Sequence, residues 1–256
     1  MRVYDLTHTV SEDILVWPGT EKPRLSEGST FEKDGFRETR LEIFSHVGTH
    51  MDAPAHMRRD RPQLDELPAS AFCGSAWVLD ARDCAPGVEI GPEAVEPVRG
   101  ADFLLVCTGW ARYWNSEKYF GRYPVLSAAA VERAVRLGVR GIGLDTMGID
   151  PMDDADFTRH HIMFEKGLVI VENLRGLAEL AGRRLFFAAL PLKYKNADGA
   201  PVGAGGIEGV GGGSREEREG EGLGVGGGGG GRGGGAGGGG GGGIRFYSPR
   251  LWRIAK

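Results

Sequence analysis

The chain has 256 residues, 26% of them charged, with a formal net charge of −4. Of its 44 glycines, 26 lie between Gly203 and Gly243, so residues 1–208 have the make-up of one globular domain and residues 209–256 do not. That last stretch holds seven of the 31 basic and four of the 35 acidic residues, which leaves the body at −7 and argues against nucleic-acid or anionic-membrane partners. In chain order, Val3 to Leu6 is expected to form a first short strand, and Trp17-Pro18-Gly19 a turn. Leu41 and Ile43 alternate with Arg40 and Glu42, the period of a strand. Apolar strands are expected at Ala76–Asp80 and at Phe103–Thr108, the latter ended by Gly109. Ser127 is placed to cap a helix running to Leu137, with Gly138 as its stop. There follow a strand over Val139–Asp145, a short helix over about Asp156–Lys166 and a strand over Leu168–Glu172. A further helix over about Leu174–Ala181 leads to a strand over Leu185–Leu190. Strands alternating with helices predict an α/β fold with a mixed sheet and no internal repeat.

The segment from Gly209 to Gly243 has too little apolar surface to order itself and is expected to be disordered. Its match to a GxGxxG dinucleotide fingerprint, over Gly222 to Gly227, carries no weight without a preceding strand. Cys73, Cys84 and Cys107 are odd in number and lack CxxC spacing, which excludes a disulfide framework and a thiolate zinc knuckle. With no basic-then-apolar start and no run of apolar residues long enough to span a bilayer, a cytoplasmic location is expected.

Three of the six histidines fall in one eleven-residue run, His46-Val-Gly-Thr-His50-Met-Asp52-Ala-Pro-Ala-His56. Its density in metal-liking groups and poverty in bulky apolar ones predict an irregular coordination loop rather than a core strand or a helix face. A metal site needs lone-pair donors within about 2.0–2.3 Å of one point, and Gly48 and Thr49 let the backbone bring His46, His50 and Asp52 together. Two imidazoles and a carboxylate suit Zn²⁺, and also Mn²⁺ or Fe²⁺. His56, beyond the Pro54 turn, can face the same cavity without ligating; a histidine titrating near neutrality suits acid/base work. Arg159-His160-His161 forms a second cluster, with Glu172 closing the apolar run Val169–Val171. A carboxylate at the end of a buried strand is costly unless paired or coordinated, and α/β sheets gather ligands at strand carboxyl ends. Glu172 with one of these histidines can complete a second metal position, with Asp52 or Glu172 bridging. Two metals about 3.5–4 Å apart would activate water and polarise a carbonyl together. There is no G-x-S-x-G elbow, no phosphate-binding G-x-x-x-x-G-K-[ST] and no cysteine in either cluster.

At these residues the chain resembles the cyclase-family metal hydrolases, a group that includes bacterial kynurenine formamidase. His46 through His56 match the pattern H-x-G-T-H-x-D-x-P-x-H in full. Asp5-Leu6-Thr7, Trp17-Pro18-Gly19, Thr108-Gly109-Trp110, Asp150-Pro151, Val171-Glu172-Asn173-Leu174 and Ala197-Asp198-Gly199 follow the family's order, so the likeness spans about residues 1–208. The resemblance implies a swivelling β/β/α domain in a homodimer or homotetramer, with one or two divalent metals per subunit, Zn first and Mn second. It implies that His46, His50 and Asp52 bind one metal, that Asp52, His160 and Glu172 bind or bridge another, that His56 is the acid/base, and that Trp17 lines the substrate pocket. The implied reaction is metal-dependent hydrolysis of a small amide, N-formylkynurenine before a cyclic amide such as isatin. A non-catalytic metal-binding protein is the alternative of another class. Three positions depart from the pattern. Gly148 stands where serine often precedes the Asp-Pro pair, and Thr20 where dedicated formamidases carry aspartate. Gly203-Ala-Gly-Gly206 replaces apolar residues of the last strand, which suggests a frame change or an appended segment near there.

Overall fold

The computed structural model describes residues 1–209. The glycine-rich stretch from residue 210 onward, expected to be disordered, lies outside the described residues. In chain order the elements are β1 (Arg2–Asp5), β2 (Arg24–Ser29), α1 (Phe31–Asp34), β3 (Glu38–Glu42), β4 (His50–Asp52), β5 (Cys73–Asp80), β6 (Glu89–Ile90), β7 (Phe103–Cys107) and β8 (Val125–Leu126). Then come α2 (Ala128–Arg136), β9 (Gly141–Leu144), α3 (Thr158–Glu165), β10 (Val169–Glu172), β11 (Arg184–Pro191) and β12 (Gly199–Glu208). No described helix is long and apolar enough to cross a membrane.

The main sheet has eight strands in the order β1-β12-β11-β5-β7-β9-β10-β4, and β4 also pairs with β12, which closes the sheet into a barrel. β5, β7, β9 and β10 run parallel, β11 and β4 flank them antiparallel, and β12 pairs antiparallel with both β11 and β4, so the expected mixed α/β domain is present. β7 shows why the central strands read as continuous apolar runs. Phe103, Leu105 and Cys107 point into the barrel core, and Leu104 and Val106 pack outside it with Val131 and Ala134 of α2 and Met163 and Phe164 of α3. The cap of α2 is as expected: Ser127 Oγ accepts from the Ala130 amide at 3.1 Å.

Three expectations fail. The helix over Leu174–Ala181 is a single 3-10 turn at Leu177–Glu179. The chain before it is held extended, because the Leu174 amide donates to Leu144 and the Arg175 amide to Leu6. The histidine run is not wholly irregular: His50–Asp52 is a fully buried barrel strand. Its apolar content is small because only Met51 faces the barrel core. Finally, the glycines at 203–206 do not interrupt the last strand. β12 continues to Glu208, pairing with β11 and β1 on its two sides.

Between β1 and β4, β2 and β3 form a separate two-stranded ribbon. The alternation around Leu41 does mark a strand, yet every residue of β3 is exposed.

Candidate metal centre

The register of β4 assembles the centre. His50 lies opposite Glu172 of β10, and Asp52 opposite Ile170. Side chains two apart share a face of a strand, so His50, Asp52 and Glu172 project from one side while Met51 fills the barrel core. α3 covers that side, and His160 in its first turn reaches down to them. His46 comes from the turn just before β4. That turn needs positive φ at Gly48 (+63°), where a Cβ would also press on Ile14 and Val10 at 3.3 Å. His46 lies over β12 at Gly199, where a Cβ would stand 2.4 Å from the imidazole ring. A backbone without a side chain is therefore the floor on which His46 rests.

His46 Nδ1 is 2.7 Å from Asp52 Oδ1, and His50 Nε2 is 3.3 Å from the same oxygen and 3.4 Å from Glu172 Oε2. His160 Nε2 is 3.4 Å from Glu172 Oε1 and 3.7 Å from Asp52 Oδ2. Three donor groups result: His46–His50–Asp52 and Asp52–His160–Glu172, which share Asp52, and the half-buried His46–His56–Asp198, which shares His46 with the first. His50, Asp52, His160 and Glu172 are all buried. The structure thus brings together all five of the expected ligands.

The donor set fits a divalent ion. His50 Nδ1 donates to the Gly48 carbonyl at 2.9 Å, and His160 Nδ1 to Asp150 Oδ2 at 2.6 Å. Each bond fixes the tautomer that turns a free Nε2 lone pair toward the carboxylates, the outer arrangement that metal-binding imidazoles use. The electrostatics agree. Burial penalises the imidazolium of His50, but hydrogen bonds to Asp52 and Glu172 and their charges outweigh it and raise its pKa to about 10. His46 is likewise opposed by burial yet raised to about 9 by Asp52 and Asp198. Burial opposes ionisation of Asp52, but His46, His160 and His50 hold it well below the usual carboxylate range. A centre that draws in protons this strongly is one whose carboxylates demand positive charge, which a divalent cation supplies more compactly.

His56 lies outside the two groups that share Asp52 and belongs to the third, with His46 and Asp198. Its ring lies 4.0 Å from that of His46, centre to centre, and its Nδ1 is 3.9 Å from Asp198 Oδ2. Burial lowers its pKa, keeping the ring neutral. Trp17, 44% exposed, lines a cavity of about 430 Å³ that opens from the centre and that Leu15, Phe44, Met57, Met147 and Phe157 also wall. Thr20 and Gly148 lie on its surface. His161 is absent from the lining and from all three donor groups.

Several residues carry roles that the sequence alone did not reveal. Asp150 orients His160 and also accepts from the backbone amides of Arg159 and His160, capping α3. It is itself paired with Arg159, which also bonds Glu89 and Asp154. Asp198 bonds His46 Nε2 at 3.3 Å and accepts from the Tyr194 hydroxyl at 3.1 Å. Asn173, at φ +58°, donates to the Gly48 carbonyl at 2.9 Å and so braces the turn under His50. Asp150 and Asp198 sit within segments that follow the family pattern, but their partners lie ten and 152 residues away, and no local spacing announces them.

Residues 4–151 match the family described as "Putative cyclase". The kynurenine formamidase of Salinibacter ruber is 31% identical over 208 residues, covering 80% of this chain and 96% of that protein. The kynurenine formamidase of Bacillus cytotoxicus is 30% identical over 203 residues, 78% of this chain and 94% of that one. Isatin hydrolase A from Labrenzia aggregata, solved with benzyl benzoate, superposes with a TM-score of 0.72 at 26% identity, covering 80% of this chain and 93% of its own. A predicted metal-dependent hydrolase from Bacillus stearothermophilus, at 24% identity and a TM-score of 0.67, shares the fold over 80% of this chain and 97% of its own. The chain belongs to this cyclase family, and it is a hydrolase.

Proposed function

We propose that this protein is a metal-dependent amidohydrolase that cleaves N-formylkynurenine to kynurenine and formate. The observation that carries the reading is the pair of donor groups sharing Asp52, buried except for the half-buried His46, at the foot of an aromatic-walled cavity. His46, His50 and Asp52 would hold one ion, and Asp52, His160 and Glu172 a second, with Zn²⁺ preferred and Mn²⁺ next. The chemistry such an ion supplies when bound is the activation of water and the polarisation of a carbonyl.

The chain's own residues do the rest. Trp17, Phe44 and Phe157 flank the cavity and offer faces against which an aromatic ring can be oriented. His56, neutral because burial disfavours its cation, accepts a proton from the attacking water. As the carbon–nitrogen bond breaks, His56 returns that proton to the leaving aryl nitrogen, giving a free amine and formate. Asp198 sits beside both His46 and His56 and restrains their rings. Asp150 and the Gly48 carbonyl hold the tautomers of His160 and His50 through the cycle.

The identity to two kynurenine formamidases supports the formamide substrate. Ring opening of a cyclic amide such as isatin is the second reading, favoured by the likeness to isatin hydrolase A. We also carry forward a homodimer or homotetramer as the assembly, to be checked by light scattering. The function is tested by supplying Zn²⁺ or Mn²⁺ and following formate release from N-formylkynurenine and ring opening of isatin. Turnover of the formamide is expected; failure to turn over either compound would rule out the proposal in favour of a non-catalytic metal protein.

A further inference from the structure

We propose that His46, His56 and Asp198 form a further, weaker site for Zn²⁺, and that filling it switches the hydrolase off. The inhibition rests on the function proposed above; the ion site itself does not. The ligand atoms of these three residues lie within 4.8 Å of one another. Asp198 Oδ2 is central to them, 3.3 Å from His46 Nε2 and 3.9 Å from His56 Nδ1. Tetrahedral Zn²⁺ with donors at about 2.0–2.2 Å sets neighbouring donors roughly 3.4 Å apart, so a small turn of the His56 ring completes the set. Asp198 Oδ1 accepts from the Tyr194 hydroxyl at 3.1 Å, which holds Oδ2 toward the two rings. The Ser45 hydroxyl lies 3.4 Å from Oδ2, and the Asp198 side chain is 48% exposed, so solvent reaches the remaining coordination position.

His46 couples this site to the buried centre. Its two ring nitrogens face different carboxylates, Nδ1 toward Asp52 at 2.7 Å and Nε2 toward Asp198 at 3.3 Å. With Nδ1 turned to the centre, Nε2 shares its proton with Asp198. An ion entering between His46, His56 and Asp198 takes the place of that proton, which leaves to solvent, and His46 then bridges two cations. The added ion is the weaker one: it has a single carboxylate, it must displace a proton, and the ions below repel it. It therefore enters only from free metal in excess and is lost on desalting. Imidazole donors favour Zn²⁺ over Mn²⁺ here. Inhibition follows from the His56 ring. With Nδ1 on the ion, the neutral ring keeps its proton on Nε2, so neither nitrogen is left to accept one from water.

The test uses the full chain, reconstituted to full activity with Zn²⁺ and then dialysed against rising free Zn²⁺. Bound metal is counted, and hydrolysis of N-formylkynurenine is followed on the same samples. Wild type is expected to take up one further equivalent and to lose activity severalfold over the same range. Protein reconstituted with Mn²⁺ and given excess Mn²⁺ is expected to do neither at those concentrations. Asp198→Asn and His56→Ala, two independent variants, are each expected to keep the activating metal and to lose the further equivalent. The rate of Asp198→Asn, whatever its starting level, is expected to stay flat as Zn²⁺ rises. A further equivalent that survives in both variants would place it elsewhere on the protein, and none in wild type would leave no site. Either result overturns the proposal while turnover at activating metal keeps the formamidase reading. Absence of that turnover would overturn the formamidase reading, and the metal counts would still decide the site.

Discussion

Two β-ribbons lie on either side of the turn at His46–Gly48, and they are opposite in character. The ribbon of β2 and β3 precedes it, joined by α1 with no buried residue, and Phe31, Phe36 and Leu41 are 67%, 54% and 59% exposed. The ribbon of β4 and β10 follows it, buried throughout, and it hides two carboxylates and an imidazole among only seven residues. Apolar side chains in water cost little, and they are common on protein surfaces. Ionisable groups out of water are expensive, and they persist here because register and helix placement give each a partner. The informative ribbon is therefore the one whose content burial alone would forbid.

Substitutions should separate the two ribbons sharply. The largest effect is expected from Asp52→Asn, which removes the carboxylate shared by the His46–His50–Asp52 and Asp52–His160–Glu172 groups. Activity should fall to the assay floor, and unfolding of the metal-free protein should show a loss of roughly 3–5 kcal/mol as buried imidazolium partners lose their anion. Next, His56→Ala should reduce kcat by about 10²–10⁴-fold while metal content by mass spectrometry stays at the wild-type level. If it instead lost the metal, His56 would have to be reassigned as a ligand. Asp150→Asn should keep the fold but weaken metal binding by about 10–100-fold, measured by competition with a chromogenic chelator.

A smaller effect concerns a histidine behind the buried ribbon. His8 stacks on Trp114 at 4.0 Å, and its backbone amide donates to Thr49 Oγ1. Burial, and then the charge of Arg175, lowers its pKa from 6.5 to about 4. Below pH 6.5 the unfolded chain therefore takes up a proton that the folded chain refuses. His8 costs no stability above that pH and progressively more as pH falls toward 4. Denaturant midpoints of His8→Phe should decline less than wild type across that window; parallel curves would remove His8 from the acid response. The smallest effect is expected on the exposed ribbon, where Leu41→Ser should leave kcat unchanged and shift stability by no more than about 0.5 kcal/mol.

The contrast also explains what was legible in the sequence. The apolar runs of β5, β7 and β10 announce themselves because both faces of those strands are covered. His46, His50, Asp52 and His56 are legible because three histidines and an acid within eleven residues have few other uses. What stayed hidden depends on pairing between distant segments. His50–Asp52 reads as a loop because a strand that shows one apolar side chain to the core has no visible period. Asp150 and Asp198 look like ordinary loop acids until α3 brings His160 to the one and the turn before β12 sets the other beside His46. The glycines of β12 look like a failed strand, yet Gly199 is what leaves room for the His46 ring. The helix expected at Leu174 has the right composition, but backbone bonds to Leu6 and Leu144 hold its start extended.

The central claim is that the buried acids and histidines on β4, β10 and α3 work by holding a divalent ion. The most direct measurement strips the protein with a chelator, records hydrolysis of an aryl formamide, and then titrates Zn²⁺ or Mn²⁺ back while counting bound metal. We expect activity to vanish on stripping and to return in step with one or two metal equivalents per chain. Full activity in protein verified to be free of metal would contradict the assignment.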